Sequence, residues 1–336
     1  MYRQLGWLVV AALATAARAA PPAVPARPAT GSDPLPPEAG GERAHRTVAA
    51  ASTPAPAAGL DARNPRTLTG DPVLGKADRI DGDERKGVVA FTFDDGPNPE
   101  TTPAVIDALE KYDIPATFFI VTQRITGKHG DKAREILQRE LDAGFLVGSH
   151  SVTHRNLKHA TEDQLTREVD ASIRMLAIQA NRTIGLFRPP YGAFNLAGRL
   201  RLKKLGLTEA FWSVDTLDWK AHNPDRLRKK VISMIKKDGG GVVLMHDVKP
   251  ITARIIADVL DDLEAENCAR LAGNAAPIVP VSLHYFLKDG KTPRELPAAV
   301  KQRTEAYKAA LPGRCAKRPA PLAAPEPAPR HAANEG

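Results

Sequence analysis

Cysteine is scarce: Cys268 and Cys315 are the only two among 336 residues. Neither has a partner at metal-ligand spacing, so a cysteine-built zinc site is excluded. The two could pair and tie the C-terminal region to the body, or remain separate thiols; the sequence leaves both open. Aromatic residues make up only 5% of the chain and few interleave with basic ones. That argues against a nucleic-acid surface despite a formal net charge of +8. Basic clusters such as Arg199-Leu200-Arg201-Leu202-Lys203-Lys204 read instead as solvated helix faces. Long apolar runs are missing except from Leu5 to about Ala17. At about 13 residues, roughly 20 Å as a helix, that run falls short of the ~30 Å hydrocarbon core, so no stable membrane span is expected. With Arg3 before it and Ala17-Arg18-Ala19 after it, the run reads as an export signal over residues 1–19. No cysteine follows it, which excludes lipid attachment there.

What is present divides the chain. Residues 20–86 are rich in Pro and Ala with almost no apolar periodicity, and read as a disordered linker. Residues 319–336 read as a disordered tail of the same kind, and 288–318 as a C-terminal extension. Between 87 and 287, short apolar runs alternate with helix-period stretches. The strand expectations are Val88–Phe93, Thr117–Val121, Phe145–Val147, Ile184–Phe187, Ala210–Val214, Gly241–Met245 and Ile278–Leu283. Thr161-Glu162-Asp163-Gln164 has capping-box spacing and opens a helix carrying Leu165, Val169, Ile173 and Leu176 on one stripe. Seven or so β/α units suggest a parallel barrel, with an open doubly wound sheet as runner-up.

The chemistry gathers where strands end. Asp94-Asp95 closes the first apolar run, and Gly96-Pro97 forces a turn behind it. Two adjacent carboxylates there repel each other and lose hydration unless a cation compensates. His150 and His154, four apart after the third run, would face one side of a helical turn; with one carboxylate they make a three-ligand zinc-type site. Arg188-Pro189-Pro190-Tyr191, Asp215-Thr216-Leu217-Asp218-Trp219 and His246-Asp247 follow three further runs. Taken singly, Arg188 could brace a turn, Asp215 cap one, Trp219 fill core and His246 sit satisfied in an interior. In a parallel β/α fold, however, strand C-termini converge on one face. Five polar groups at five such ends point to a catalytic constellation.

In order, Thr92-Phe93-Asp94-Asp95, His150-Ser151-Val152-Thr153-His154, Arg188-Pro189-Pro190-Tyr191, Asp215-Thr216-Leu217-Asp218-Trp219 and Leu244-Met245-His246 resemble the five motifs of polysaccharide deacetylases, the NodB-homology enzymes of carbohydrate esterase family 4. The resemblance covers about residues 87–285, with no departure at a motif position. It implies an α/β fold, a distorted (β/α)7 barrel, and a divalent metal: zinc first, cobalt or a similar ion otherwise. It implies Asp95, His150 and His154 as metal ligands and Asp94 as general base, with Arg188 holding Asp94 ionised and oriented. It implies the Tyr191 backbone N–H as an oxyanion donor, His246 as general acid oriented by Asp218, and Trp219 and Leu244 as walls of an acetyl pocket. Amide hydrolysis independently calls for an activated water, a base, donors for the oxyanion and an acid for the amine.

The expectation is therefore an exported, monomeric, metal-dependent hydrolase of the periplasm, cell wall or exterior. It would remove N-acetyl groups from a GlcNAc-containing glycan such as peptidoglycan, a chitooligosaccharide or poly-GlcNAc. The basic surface leaves room for an anionic cell-wall polymer as a partner. The same site could serve O-deacetylation, and related barrels hydrolyse small cyclic amides, which export argues against. The rival from another class is an inactive wall protein that only holds glycan; the complete motifs argue against it.

Overall fold

Val88–Asp94 forms strand β1, and six of its seven residues are buried. A near-continuous apolar strand of this kind belongs in a parallel sheet covered on both faces, and β1 occupies the centre of one. The structure, a computed structural model, describes residues 68–127 and 130–318. The expected signal, the linker up to residue 67 and the tail from 319 lie outside the described residues.

In chain order β1 is followed by α1 (Thr102–Lys111), β2 (Ala116–Ile120), α2 (Asp131–Asp142) and β3 (Leu146–Ser149). Next come α3 (Glu162–Leu165), a π-helical turn at Thr166–Asp170 that runs on into α4 (Ala171–Ala180), then β4 (Leu186–Phe187), α5 (Leu196–Leu205) and β5 (Thr208–Glu209). After β6 (Val214–Asp215) come α6 (Pro224–Asp238), β7 (Gly240–His246), α7 (Pro250–Ala272) and β8 (Val279–Pro280). A small antiparallel hairpin, β9 (Lys288–Asp289) with β10 (Thr292–Pro293), precedes α8 (Ala298–Ala316). Among the described residues no helix is long and apolar enough to cross a membrane.

The strands form one curled parallel sheet in the order β5-β4-β3-β2-β1-β7-β6, with β8 joining the N-terminal end of β1. It is a half-barrel, α/β as expected, with the helices packed around it. Its outermost strands, β5 and β6, do not pair with each other; residues 80–82 lie across that side. Ile80 N–H donates to Glu209 O, Phe211 N–H donates to Ile80 O, and Gly82 O accepts from Val242 N–H at 3.1 Å. β1 and β7 pair along their whole length, in a register that sets Asp94 opposite His246. Gly240 begins that pairing with φ 110°; a Cβ there would collide with the carbonyl oxygen of Val88.

Two expectations change, and one question left open is decided. The expected strand Ala210–Val214 is two short strands on opposite edges of the sheet, with residues 210–213 crossing between them. The expected linker is too long, because residues 68–86 pack on the sheet. Leu68, Leu74 and Ile80 are buried, and Thr69 Oγ1 accepts from Val147 N–H and donates to Phe145 O. The cysteines pair: Cys268 on α7 and Cys315 on α8 are bonded, with Cα atoms 5.4 Å apart. Closing 47 residues of chain in this way stabilises the fold by about 4 kcal/mol in the loop-entropy model. α8 also buries Val300, Thr304, Tyr307 and Leu311, spaced as one helical face.

Candidate active site

The sheet register does most of the assembly. At the C-terminal end, Asp94 stands between His246 on β7 and Phe119 on β2. Ser149 pairs with Phe187, so His150 and Arg188 leave adjacent strands side by side. His150 N–H donates to Ile120 O at 2.8 Å, and Arg188 N–H donates to Ser149 O at 2.9 Å.

The two aspartates part company here. Asp94 is buried, and its Oδ1 accepts from Arg188 Nη1 at 2.8 Å. Arg188 is wholly buried; the same Nη1 reaches Thr92 Oγ1 at 2.8 Å, while Nε and Nη2 donate to the carbonyls of Ala210 and Phe211. The guanidinium lies 4.1 Å from the centroid of Phe119. A buried charge persists only when its donors are satisfied in this way. Burial pushes the Asp94 carboxyl above the ordinary range, against the lowering fields of Arg188, His246 and His154.

Asp95 turns the other way, its backbone at φ 77°. Oδ1 lies 3.2 Å from His154 Nε2 and 3.7 Å from His150 Nε2, and it is buried without a hydrogen-bond partner among the described residues. Space behind it is tight: a Cβ on Gly96 would collide with the buried carboxylate of Asp247. Asp247 accepts a hydrogen bond from Thr102, and burial pushes it up to about 7.

His150 Nδ1–H donates to the Arg188 carbonyl at 2.7 Å, which leaves Nε2 as a lone pair facing the aspartates. Burial lowers its pKa to about 3, so the imidazole is neutral at ordinary pH. One donor atom each from Asp95, His150 and His154 fall within 4.8 Å of one another. An orphaned carboxylate oxygen beside a neutral imidazole fixed in the right tautomer, with a second imidazole alongside, suits a divalent cation such as zinc.

The two histidines do not share a helical turn as expected. They stand on a loop in which Ser151 and His154 both take left-handed backbone, φ 69° and 61°. Ser151 Oγ accepts from His154 N–H at 3.0 Å. Glu168, in the π-helical turn, anchors the loop from below, accepting from Val152 N–H, Thr153 N–H and Thr153 Oγ1 at 3.1, 2.9 and 2.6 Å.

Across the cavity, His246 Nδ1–H donates to Asp218 Oδ1 at 2.7 Å. The second oxygen of Asp218 accepts from His246 N–H and Thr252 Oγ1. Burial works against both charges. Even so, Asp218 raises His246 to about 9, helped by Asp94 and Asp95, and the same contacts hold Asp218 below the ordinary carboxylate range. The cavity, about 390 Å³, is walled by Tyr191, Trp212, Trp219 and Leu244 above these groups. Tyr191, at φ 60°, is two-thirds exposed and packs its ring 4.6 Å from that of His154.

The family description "Polysaccharide deacetylase" matches residues 81–210. The chain is 33% identical over 163 residues to the chitooligosaccharide deacetylase of Bradyrhizobium sp. (strain ANU 289), covering 48% of this chain and 71% of that protein. The chain belongs to the polysaccharide deacetylase family. It is also 34% identical over 178 residues to the peptidoglycan-N-acetylglucosamine deacetylase PgdA of Listeria monocytogenes serotype 1/2a, covering 53% of this chain but 36% of that one, so it spans about a third of that relative's length. Among solved structures it resembles the Bc1960 peptidoglycan N-acetylglucosamine deacetylase, with TM-score 0.53 and 27% identity over 64% of this chain and 94% of that one.

The residues expected at the site lie together at the C-terminal ends of the strands. Glu168, Trp212 and Lys249 were not expected there, and Asp215 entered only within its strand-end motif, with no role of its own. Asp215 and Lys249 line the cavity and follow strand ends, a signal already in the sequence. Glu168 carried a fainter one, a carboxylate on the apolar stripe beside Leu165 and Val169. Glu168→Ala should loosen the histidine loop and weaken zinc binding by about 10- to 100-fold, with Glu168→Gln intermediate. Titration with a fluorescent zinc competitor checks this; unchanged affinity in a variant with unchanged circular dichroism would contradict it.

Proposed function

We propose that the protein is an exported, metal-dependent hydrolase that removes N-acetyl groups from GlcNAc-containing glycans, peptidoglycan foremost, releasing acetate and a free amine. The observation that carries the reading is the different surroundings of the two aspartates: Asp94 is bonded to Arg188 at 2.8 Å with one imidazole 3.6 Å away, and Asp95 faces two imidazoles with no arginine partner among the described residues. Asp95, His150 and His154 would hold the divalent ion, zinc by the chemistry of the donor set. When bound, the ion supplies Lewis acidity for the acetamide and for an attacking water.

The remaining work falls to side chains. Asp94, kept in place by Arg188, takes the proton of the attacking water; burial has already made it a better base than an ordinary carboxylate. The backbone N–H of Tyr191 donates to the oxyanion that forms on the acetyl group. His246, charged through its contact with Asp218, delivers the proton that lets the amine leave. Trp219 and Leu244 border the methyl group and keep water from it. Export, expected from residues 1–19, would bring the enzyme to cell-wall substrates.

Acetate release across chitooligosaccharides, peptidoglycan and acetylated xylan tests the reading. Chelator-treated protein should be inactive and recover with Zn²⁺ or Co²⁺. No release from any N-acetylated glycan under those conditions would overturn it.

pH dependence tests the acid. His246 is protonated, and so competent, below its pKa of about 9, and turnover should fall as pH rises through that value. Asp218→Asn removes the carboxylate that sustains the charge, so the alkaline limb should move down by about 1–3 units. A limb that stays in place would remove His246 from this role.

A further inference from the structure

A second hollow, about 610 Å³, opens beside the catalytic cavity and shares Asp95 and His154 with it. Its volume lies within the range of roughly 300–1,000 Å³ in which small ligands are held. Beyond the shared residues, its polar lining is Gln123, Arg124, Thr126 and Thr153. Both hydroxyls are already engaged. Thr153 Oγ1 donates to Glu168, and Thr126 Oγ1 donates to Thr122 O at 3.0 Å. The groups left to face a ligand are an amide and a guanidinium, Gln123 and Arg124, both exposed.

Arginines on a neighbouring helix are paired with carboxylates. On nearby α2, Arg134 pairs with Asp131, and Arg139 pairs with Asp107 and Glu110. Arg124 has no carboxylate partner among the described residues. Its backbone is nonetheless fixed relative to the histidine loop. Thr122 N–H donates to Ser151 O at 3.1 Å, Gln123 N–H donates to Val152 O at 3.0 Å, and Arg124 N–H donates to Val121 O at 3.0 Å. Arg134 also donates to Ile125 O at 2.9 Å, at the end of the same 3-10 turn. A cation with no carboxylate partner among the described residues is thus mounted on a braced turn, in the hollow it shares with Asp95 and His154.

We infer that this groove binds a carboxylate carried by the glycan next to the sugar being deacetylated, with Arg124 as its specificity-determining partner. A guanidinium offers a planar pair of N–H donors that matches a carboxylate, whereas a neutral sugar offers it only hydroxyls. The Gln123 amide adds a neutral donor beside it. The inference rests on the deacetylase reading and narrows it: the preferred substrate is an acidic N-acetylated glycan rather than a neutral one. Two sources supply this chemistry, a lactyl ether carboxylate on the neighbouring sugar and a carboxylate of an attached peptide.

The test compares four soluble oligomers of equal length: a neutral GlcNAc oligomer, an alternating GlcNAc–MurNAc oligomer with free lactyl carboxylates, the same oligomer with those groups converted to methylamides, and one bearing peptides on the lactyl groups. KM is measured by acetate release. Binding is measured by calorimetry on the zinc-loaded Asp94→Asn protein, so that the result does not depend on turnover. The free carboxylate should bind about tenfold more tightly than its methylamide, one charge-assisted hydrogen-bond pair. Arg124→Gln should bring that ratio to about one, and Arg124→Lys should restore part of it. Preference for the peptide-bearing oligomer over the methylamide, without preference for the free lactyl form, would place the carboxylate on the peptide. Equal binding of free, methylamidated and peptide-bearing oligomers by the protein with Arg124 intact would overturn the inference. So would a preference that survives Arg124→Gln. Absent acetate release with the binding preference intact would count against the deacetylase reading alone.

Discussion

The ion pair between Arg188 and Asp94 is the contact on which the site depends. Arg188 is fully buried, and its Nη1 binds Asp94 and Thr92 while its other nitrogens reach the carbonyls of Ala210 and Phe211. These bonds tie β1 to the crossing between β5 and β6, where the sheet fails to close. They also commit one oxygen of Asp94 to Arg188, while its other oxygen stays 3.6 Å from His150 Nε2. Breaking a buried pair by removing one partner costs about 3–5 kcal/mol, because the remaining charge is left unpaired. The interaction is therefore structural and chemical at once.

Around it, backbone geometry does what side-chain flexibility could not. The full-length pairing of β1 and β7 sets Asp94 against His246, the base and the acid of the proposed reaction. Glycine at 240 lets the two strands start in contact, and glycine at 96 leaves room for the Asp247 carboxylate. His150 is fixed by a hydrogen bond to the carbonyl of the very arginine that holds Asp94. His150, Arg188 and Asp94 are thus parts of one hydrogen-bonded network.

Much of this was legible in the sequence because strand-end chemistry is local. An apolar run followed by Asp94-Asp95, or by His246, carries both the strand and the functional group in a few adjacent residues. What escaped depends on distant partners or unusual backbone. Ser151 and His154 adopt left-handed φ without a glycine to announce it, so the four-residue spacing of His150 and His154 suggested a helical turn. Glu168 matters only because it lies beneath that loop. Leu68, Leu74 and Ile80 are spaced without helical or strand period, and their burial follows from a segment laid across the sheet. Cys268 and Cys315 pair because α8 packs on α7, a proximity that no spacing encodes.

The central claim is that adjacent carboxylates hold different jobs, Asp95 on the metal and Asp94 on the proton. The most direct measurement is metal stoichiometry and acetate release for Asp94→Asn and Asp95→Asn, side by side after zinc loading. The account predicts that Asp94→Asn keeps its metal while losing about 100-fold or more of its turnover, and that Asp95→Asn loses the metal itself. Equal loss of metal in both variants, or substantial turnover in Asp94→Asn, would contradict it.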